Sequence, residues 1–279
     1  MINFTKYSLF YFAVSVTVIA VGIFSLLTGG LKLGIDFTGG SIVSYNREKP
    51  FVRTDIEKTL LQQNIKLVTY SQDAPNTITL RTVSIDEKKE SQLRKELGAN
   101  QLKFDSVGPS LGKETMKKTA IASIVAILGI LLYISFTFRK FNYGIAAIVA
   151  LLHDVLVLAG IYSLLSHIGA EVDALFVTAL LTTMSFSVHD TIVVFDKIRE
   201  YRRTSALPIE DLANRALTET MVRSLNNSLT IMLMLIPLTL MGGESLHFFA
   251  AALLIGTITG TYSSPFVATP LLVLLEKRR

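Results

Sequence analysis

The 279-residue chain is half apolar, carries 27 Lys and Arg against 22 Asp and Glu, and contains no cysteine. Disulfides and thiolate metal sites are therefore excluded, and every part that folds must do so by packing alone. The net charge of +5 is read as topological and gives no reason to invoke nucleic acid.

Six apolar runs, near residues 9–28, 119–138, 143–165, 174–195, 228–242 and 248–275, approach the length of about 20 residues that crosses a bilayer as a helix. The fifth is short unless Asn226 and Asn227 are admitted to it. The first, Leu9 to Leu27, outruns a signal-peptide core of about 7–15 residues, and S-L-L-T-G-G at Ser25–Gly30 offers no A-x-A cleavage site. It is expected to be a retained anchor.

Short loops fix the orientation. One set of faces carries Lys6, Arg139, Lys140, Lys197, Arg199, Arg202, Arg203, Arg215, Arg223 and Lys277–Arg279. The opposite short loops, 166–173 and 242–247, hold no Lys or Arg but do hold Glu171, Asp173 and Glu244. The expectation is a multi-pass protein of the bacterial inner membrane with both termini in the cytoplasm. Its parts are residues 1–28 (cytoplasmic start and first helix), 29–118 (a periplasmic domain) and 119–279 (five further helices, with a cytoplasmic loop at 196–225).

Within 29–118 the periodicity switches in order. Ile35–Asn46 reads as a strand whose start is broken by Gly39 and Gly40. Thr54-x-x-Glu57 reads as a capping box opening a helix with Ile56 and Leu60 on one face. Strands at Ile65–Tyr70 and Thr77–Thr82 flank a turn at Asp73–Asn76. Ser84-x-x-Glu87 opens a second helix bearing Leu93 and Leu97, Gly98 stops it, and a last strand lies near Gln101–Val107. The order βαββαβ predicts a ferredoxin-like α+β domain between the first two of six transmembrane helices. No nucleotide site is expected. Gly34–Gly40 lacks G-x-G-x-x-G spacing, and Gly108-Pro-Ser-Leu-Gly112-Lys113-Glu114 is one residue short of a phosphate loop and has Glu where Ser or Thr would hold magnesium.

Ionisable groups inside membrane helices are costly and mark function. His153 and Asp154 fall mid-way along the third helix, and His189 and Asp190 lie in the fourth, about 8 Å inside its expected cytoplasmic end at about 1.5 Å per residue. Thr183, Ser187 and Asp190 share one face of the fourth helix, and Arg223 and Asn227, four apart, open the fifth. An Asp190–Arg223 pair that breaks and forms as Asp190 gains and loses a proton is one reading. A static pair that fixes helix register is the other. The His–Asp neighbours fit a relay or a structural hydrogen bond equally. Ala252, Gly256, Gly260 and Ser264, at four-residue spacing, suit close helix packing and require no site. Pro237, Pro265 and Pro270 are candidate kinks.

These residues resemble a known family. G-I-D-F-T-G-G at Gly34–Gly40, with Asp36, Phe37, Gly39 and Gly40, is similar to the signature of the SecD and SecF protein-export subunits. V-G-P-S-L-G-K-E from Val107, H-D-V-L-V-L-A-G from His153 and S-V-H-D-T-I-V-V-F-D-K-I-R-E from Ser187 resemble the same family, and the six-helix length resembles its SecF side. The resemblance implies a membrane subunit of the resistance-nodulation-division superfamily that is not an enzyme. It implies a SecD subunit, the SecYEG channel and an unfolded secretory polypeptide as partners in the lipid bilayer, with no nucleotide. The proton gradient is the implied energy source, with no cofactor and no metal. Asp190 and Arg223 match residues placed in that family's proton path, while His189 departs from the Asn that many relatives carry. A small-molecule exporter of the same superfamily and a non-transporting assembly subunit are the competing readings.

Overall fold

The computed structural model describes residue 4, residues 7–138 and residues 140–277. Among the basic positions used for orientation, Lys6, Arg139, Arg278 and Arg279 lie outside the described residues. Among the described residues, six helices are long and apolar enough to cross a membrane. They are α1 (Ser8–Thr28), α5 (Pro109–Thr137), α6 (Phe141–Leu165, extended by a 3₁₀ turn at Ser166–Ile168), α7 (Ala174–Thr204), α8 (Ile209–Met241) and α9 (Glu244–Ser263). The last is carried on through a π turn at Ser264–Ala268 into α10 (Thr269–Lys277). The chain forms two compact units, residues 33–121 and the remainder.

The smaller unit holds β1 (Gly40–Asn46), α3 (Arg53–Gln62), β2 (Leu67–Ala74), β3 (Thr77–Thr82), α4 (Glu87–Leu97) and β4 (Asn100–Val107), with a one-turn helix α2 (Ile35–Thr38) before them. Its sheet is antiparallel throughout in the order β2-β3-β1-β4, so each β-α-β crossover straddles a strand inserted between its ends. This is the expected four-stranded α+β arrangement. Burial alternates along β3, which places Ile78 and Leu80 on one face against Ile56 and Leu60 of α3 and Leu93 and Leu97 of α4. One polar pair lies in this core. Tyr45 donates its hydroxyl to Glu90 at 3.2 Å, and burial first, then the Glu90 charge and hydrogen bond, push the phenol pKa up.

Four local expectations are corrected. Residues 35–38 form a helical turn, because Gly39 (φ 72°) and Gly40 (φ 126°) reverse the backbone before pairing starts at Gly40. The box at Thr54 is not made, since the helix begins at Arg53 with Val52 as an N-cap that offers no side-chain acceptor. The cap of α4 is Asp86, accepting from the Lys89 amide at 2.9 Å, and not Ser84. The strand β2 runs on to Ala74, which leaves Pro75–Asn76 as the turn. Gly98 closes α4 in the left-handed conformation, as its position suggests.

In the membrane unit, α1 crosses α6 where two glycines meet. A Cβ on Gly22 would stand 2.9 Å from Gly160 Cα, and Ser25 and Ser163 hydroxyls pair at 2.9 Å nearby. The expected loop at 196–225 is almost wholly helical, with only residues 205–208 between α7 and α8. Charged side chains there sit on helix extensions, and the fifth span is the distal part of one unbroken helix that contains Pro237.

Leu93→Ala is expected to lower the stability of the α+β unit by about 2–5 kcal/mol. Tyr45→Phe should cost about 1 kcal/mol, because it takes a donor from the buried Glu90. A raised tyrosine pKa means the Tyr45 contribution is complete below about pH 10 and falls as pH rises beyond it. Calorimetry of the full-length chain should show the α+β transition dropping above pH 10 in the wild type, and less so in Tyr45→Phe.

Candidate functional site

The polar centre of the membrane unit is built on a close approach of α7 and α9. Gly256 faces the Thr183 side chain, Gly260 faces Ser187 with a would-be Cβ 3.1 Å from Ser187 Cβ, and Thr191 and Ser264 hydroxyls pair at 2.9 Å. Positions 183, 187 and 191 thus interlock with 256, 260 and 264. Ala252 continues the stripe and is fully buried. Small residues let two backbones come close enough for short hydroxyl side chains to reach across.

What they reach is Asp154. This residue of α6 is 6% exposed, and its Oδ2 accepts from Ser263 of α9 at 2.7 Å and from Ser187 of α7. His153 Nδ1 stands 2.9 Å from Oδ1, and the imidazole stacks on Tyr262 with centroids 6.2 Å apart. Tyr262 in turn donates to the Tyr11 carbonyl of α1 at 3.1 Å. His153 Nε2 is buried with no hydrogen-bond partner among the described residues. The carboxylate therefore ties α7 and α9 to its own helix, α6, while its histidine keeps one ring nitrogen unused. Ser263 was not legible as a partner, because in sequence it is simply the neighbour of the small-residue stripe.

Asp190 is placed differently. Thr183 and Ser187 turn to α9, while Asp190 turns to α8 and accepts from Ser224 at 2.6 Å. Its side chain is 14% exposed and its neighbour His189 is 73% exposed, with Nδ1 3.9 Å from Asp190 Oδ1. A small cavity of about 20 Å³ adjoins the carboxylate, lined also by Asn227, Ser228, Thr257 and Thr261. That is room for one water. Arg223 lies next to Ser224 in sequence, is exposed, and has no ion pair with Asp190 among the described residues. Asn227 is also exposed. The fourth helix continues to Thr204, so Asp190 lies about 21 Å from the helix end at about 1.5 Å per residue, and not near it. Ser224 is the contact that sequence reasoning missed, although it directly follows Arg223.

The Gly34–Gly40 signature is not part of this centre. It is a joint inside the α+β unit, with Ile35 and Phe37 buried and Thr38 accepting from Arg81 at 3.1 Å. A Cβ on Gly39 would lie 2.9 Å from Pro109 Cα, and one on Gly112 would lie 2.7 Å from the Gly39 nitrogen. The second glycine-rich motif thus packs on the first. Asp36 belongs to the same turn.

With this geometry in place, two family comparisons bear on the chain. Residues 24–50 match the SecD/SecF GG motif, and residues 87–278 match the C-terminal region of the protein export membrane proteins SecD and SecF. The chain belongs to the SecD/SecF family. It is similar over its whole length to SecF protein translocase subunits from Thermobaculum terrenum (42% identical, covering 95% of that protein) and Anaerolinea thermophila (37%, 94%, over 99% of this chain). A crystal structure of SecDF, a translocon-associated membrane protein from Thermus thermophilus, aligns with all of this chain at a TM-score of 0.85 and 31% identity. The chain spans 39% of that longer protein's length. Family membership places it on the SecF side, among translocase subunits and not enzymes.

Gly256→Val is expected to wedge α7 from α9 and sharply lower the thermal stability of the solubilised chain. Gly129→Ala in α5, where an added Cβ meets nothing within 4 Å, should leave it unchanged or slightly raised. Scanning fluorimetry on the purified variants distinguishes the two.

Proposed function

We propose that this chain is the SecF-type accessory subunit of a protein translocase and couples proton entry at Asp190 to the export of secretory polypeptides. The observation that carries the reading is the contrast between two intramembrane carboxylates. Asp154 is held by hydroxyls from α7 and α9 and by His153 of its own helix, whereas Asp190, among the described residues, accepts from Ser224 alone, borders a water-sized cavity and makes no ion pair with Arg223. A carboxylate in that setting can change protonation with little rearrangement, and a swing of Arg223 toward it would favour the charged form. On this reading Asp154 and His153 hold the bundle together, and Asp190 takes the proton with His189, Arg223 and Asn227 at the same edge.

The partner follows from the same edge. His189, Arg223, Asn226 and Asn227 are exposed on helices that cross a membrane, and polar groups are costly against lipid tails. A second polar helix bundle covering them relieves that cost, which supports pairing with a SecD-type subunit. Each proton crossing about 100 mV supplies about 2.3 kcal/mol. A few protons suffice to move the α+β domain, which on this reading lies on the periplasmic side and handles an unfolded chain emerging from the SecYEG channel.

Asp190→Asn in the assembled complex is expected to abolish the part of reporter export that depends on a proton gradient, with assembly unchanged. Gradient-dependent export that survives in a correctly assembled variant would exclude Asp190 as the coupling group. Because the chain has no cysteine, orientation is testable in the same background. Glu48→Cys should react with an impermeant maleimide from the periplasm, and Ala206→Cys only once the inner membrane is opened.

A further inference from the structure

Beyond the coupling site, the membrane unit carries a large cavity with a divided lining. About 850 Å³ in volume, it lies where the end of α5, the start of α6 and the far end of α7 meet. One wall is aromatic, with Tyr133 and Phe136 of α5 at 55% and 87% exposure. The rest is mainly basic, with Lys140, Arg199, Arg202 and Arg203 beside Thr137, Phe138 and Tyr143, and no carboxylate lines it among the described residues. Two of these cations are already used. Arg199 pairs with Asp196 at 2.7 Å and donates to the Thr137 carbonyl at 3.3 Å, and Arg202 is bound to Glu276. Lys140 and Arg203 have no ion pair among the described residues.

We propose that this cavity binds an anionic glycerophospholipid of the phosphatidylglycerol class, the phosphate on Lys140 and Arg203 and an acyl chain along Tyr133 and Phe136. The lining selects this ligand over a soluble anion. A free phosphate needs the cations but leaves two large aromatic side chains in water, whereas a lipid satisfies both walls. Its place also fits, since Phe136 lies at the last turn of a membrane-spanning helix and Lys140 begins the next, the level at which headgroups sit. Basic pockets between membrane helices recognise acidic headgroups by charge. The arrangement also holds the α5–α6 turn, where Arg199 caps a carbonyl at the end of α5.

The test is native mass spectrometry of the full-length chain, alone and in complex with its SecD partner subunit, titrated with phosphatidylglycerol, phosphatidylcholine or inorganic phosphate. Wild-type chain should retain phosphatidylglycerol over phosphatidylcholine in both samples. Lys140→Gln with Arg203→Gln should weaken that retention roughly tenfold or more. Phe136→Ser should weaken retention of both lipids while the preference for the acidic one persists, which separates the apolar wall from the charges. Equal retention of the two lipids by wild type would overturn the proposal. So would an unchanged double variant, or displacement of the lipid by millimolar phosphate. Loss of bound lipid on joining the partner subunit would assign the cavity to protein contact and likewise overturn it.

Discussion

A carboxylate can remain in the middle of a membrane-spanning bundle only if other side chains solvate it, and the arrangement of this bundle follows from how Asp154 is solvated. Its donors come from α7 and α9 and its histidine from its own helix. Serine hydroxyls are short, so α6, α7 and α9 must approach closely for Ser187 and Ser263 to reach one oxygen. The glycines opposite Thr183 and Ser187 permit that approach. Leu at either glycine would separate the helices and strand a buried charge, a far larger penalty than the lost packing alone. The small-residue stripe and the polar centre are therefore one device.

That device leaves Asp190 in a looser setting on the neighbouring face of α7. It lies three positions on from Ser187, about 60° around the helix, which turns it from the interlocked side toward α8. There it meets one serine and a cavity instead of a full set of donors. His189, Arg223 and Asn227 are exposed along the same edge.

The six spans, the strand and helix order of the α+β unit, and the glycine stripe were all legible, because length, periodicity and residue size act over many positions. The errors were local. Thr54 and Ser84 had the right spacing for capping boxes, but the chain enters α3 through Val52 and α4 through Asp86. Asp190 sits near the end of the apolar run, and the helix itself continues past that run to Thr204, which puts the residue about 21 Å from the end of α7. His153 and Asp154 were visible as a pair, but Ser263 and Ser224 were not, since a serine's partner is set by tertiary packing and leaves no periodic trace.

The π turn at Ser264–Ala268 has a consequence for everything after it. Such a turn holds one residue more than an α turn, so the chain beyond it is rotated by about 100° from the course of an uninterrupted helix. With that offset, Leu272 and Val273 point into the core and Glu276 reaches Asn142 and Arg202. Removing a single residue between 264 and 268 would let the segment relax to α geometry, turn Leu272 and Val273 by about 100° away from the core, and unfasten Glu276. The spacing there is thus set by count as well as by chemistry, and a one-residue deletion should be harder to accommodate than most substitutions in the same stretch.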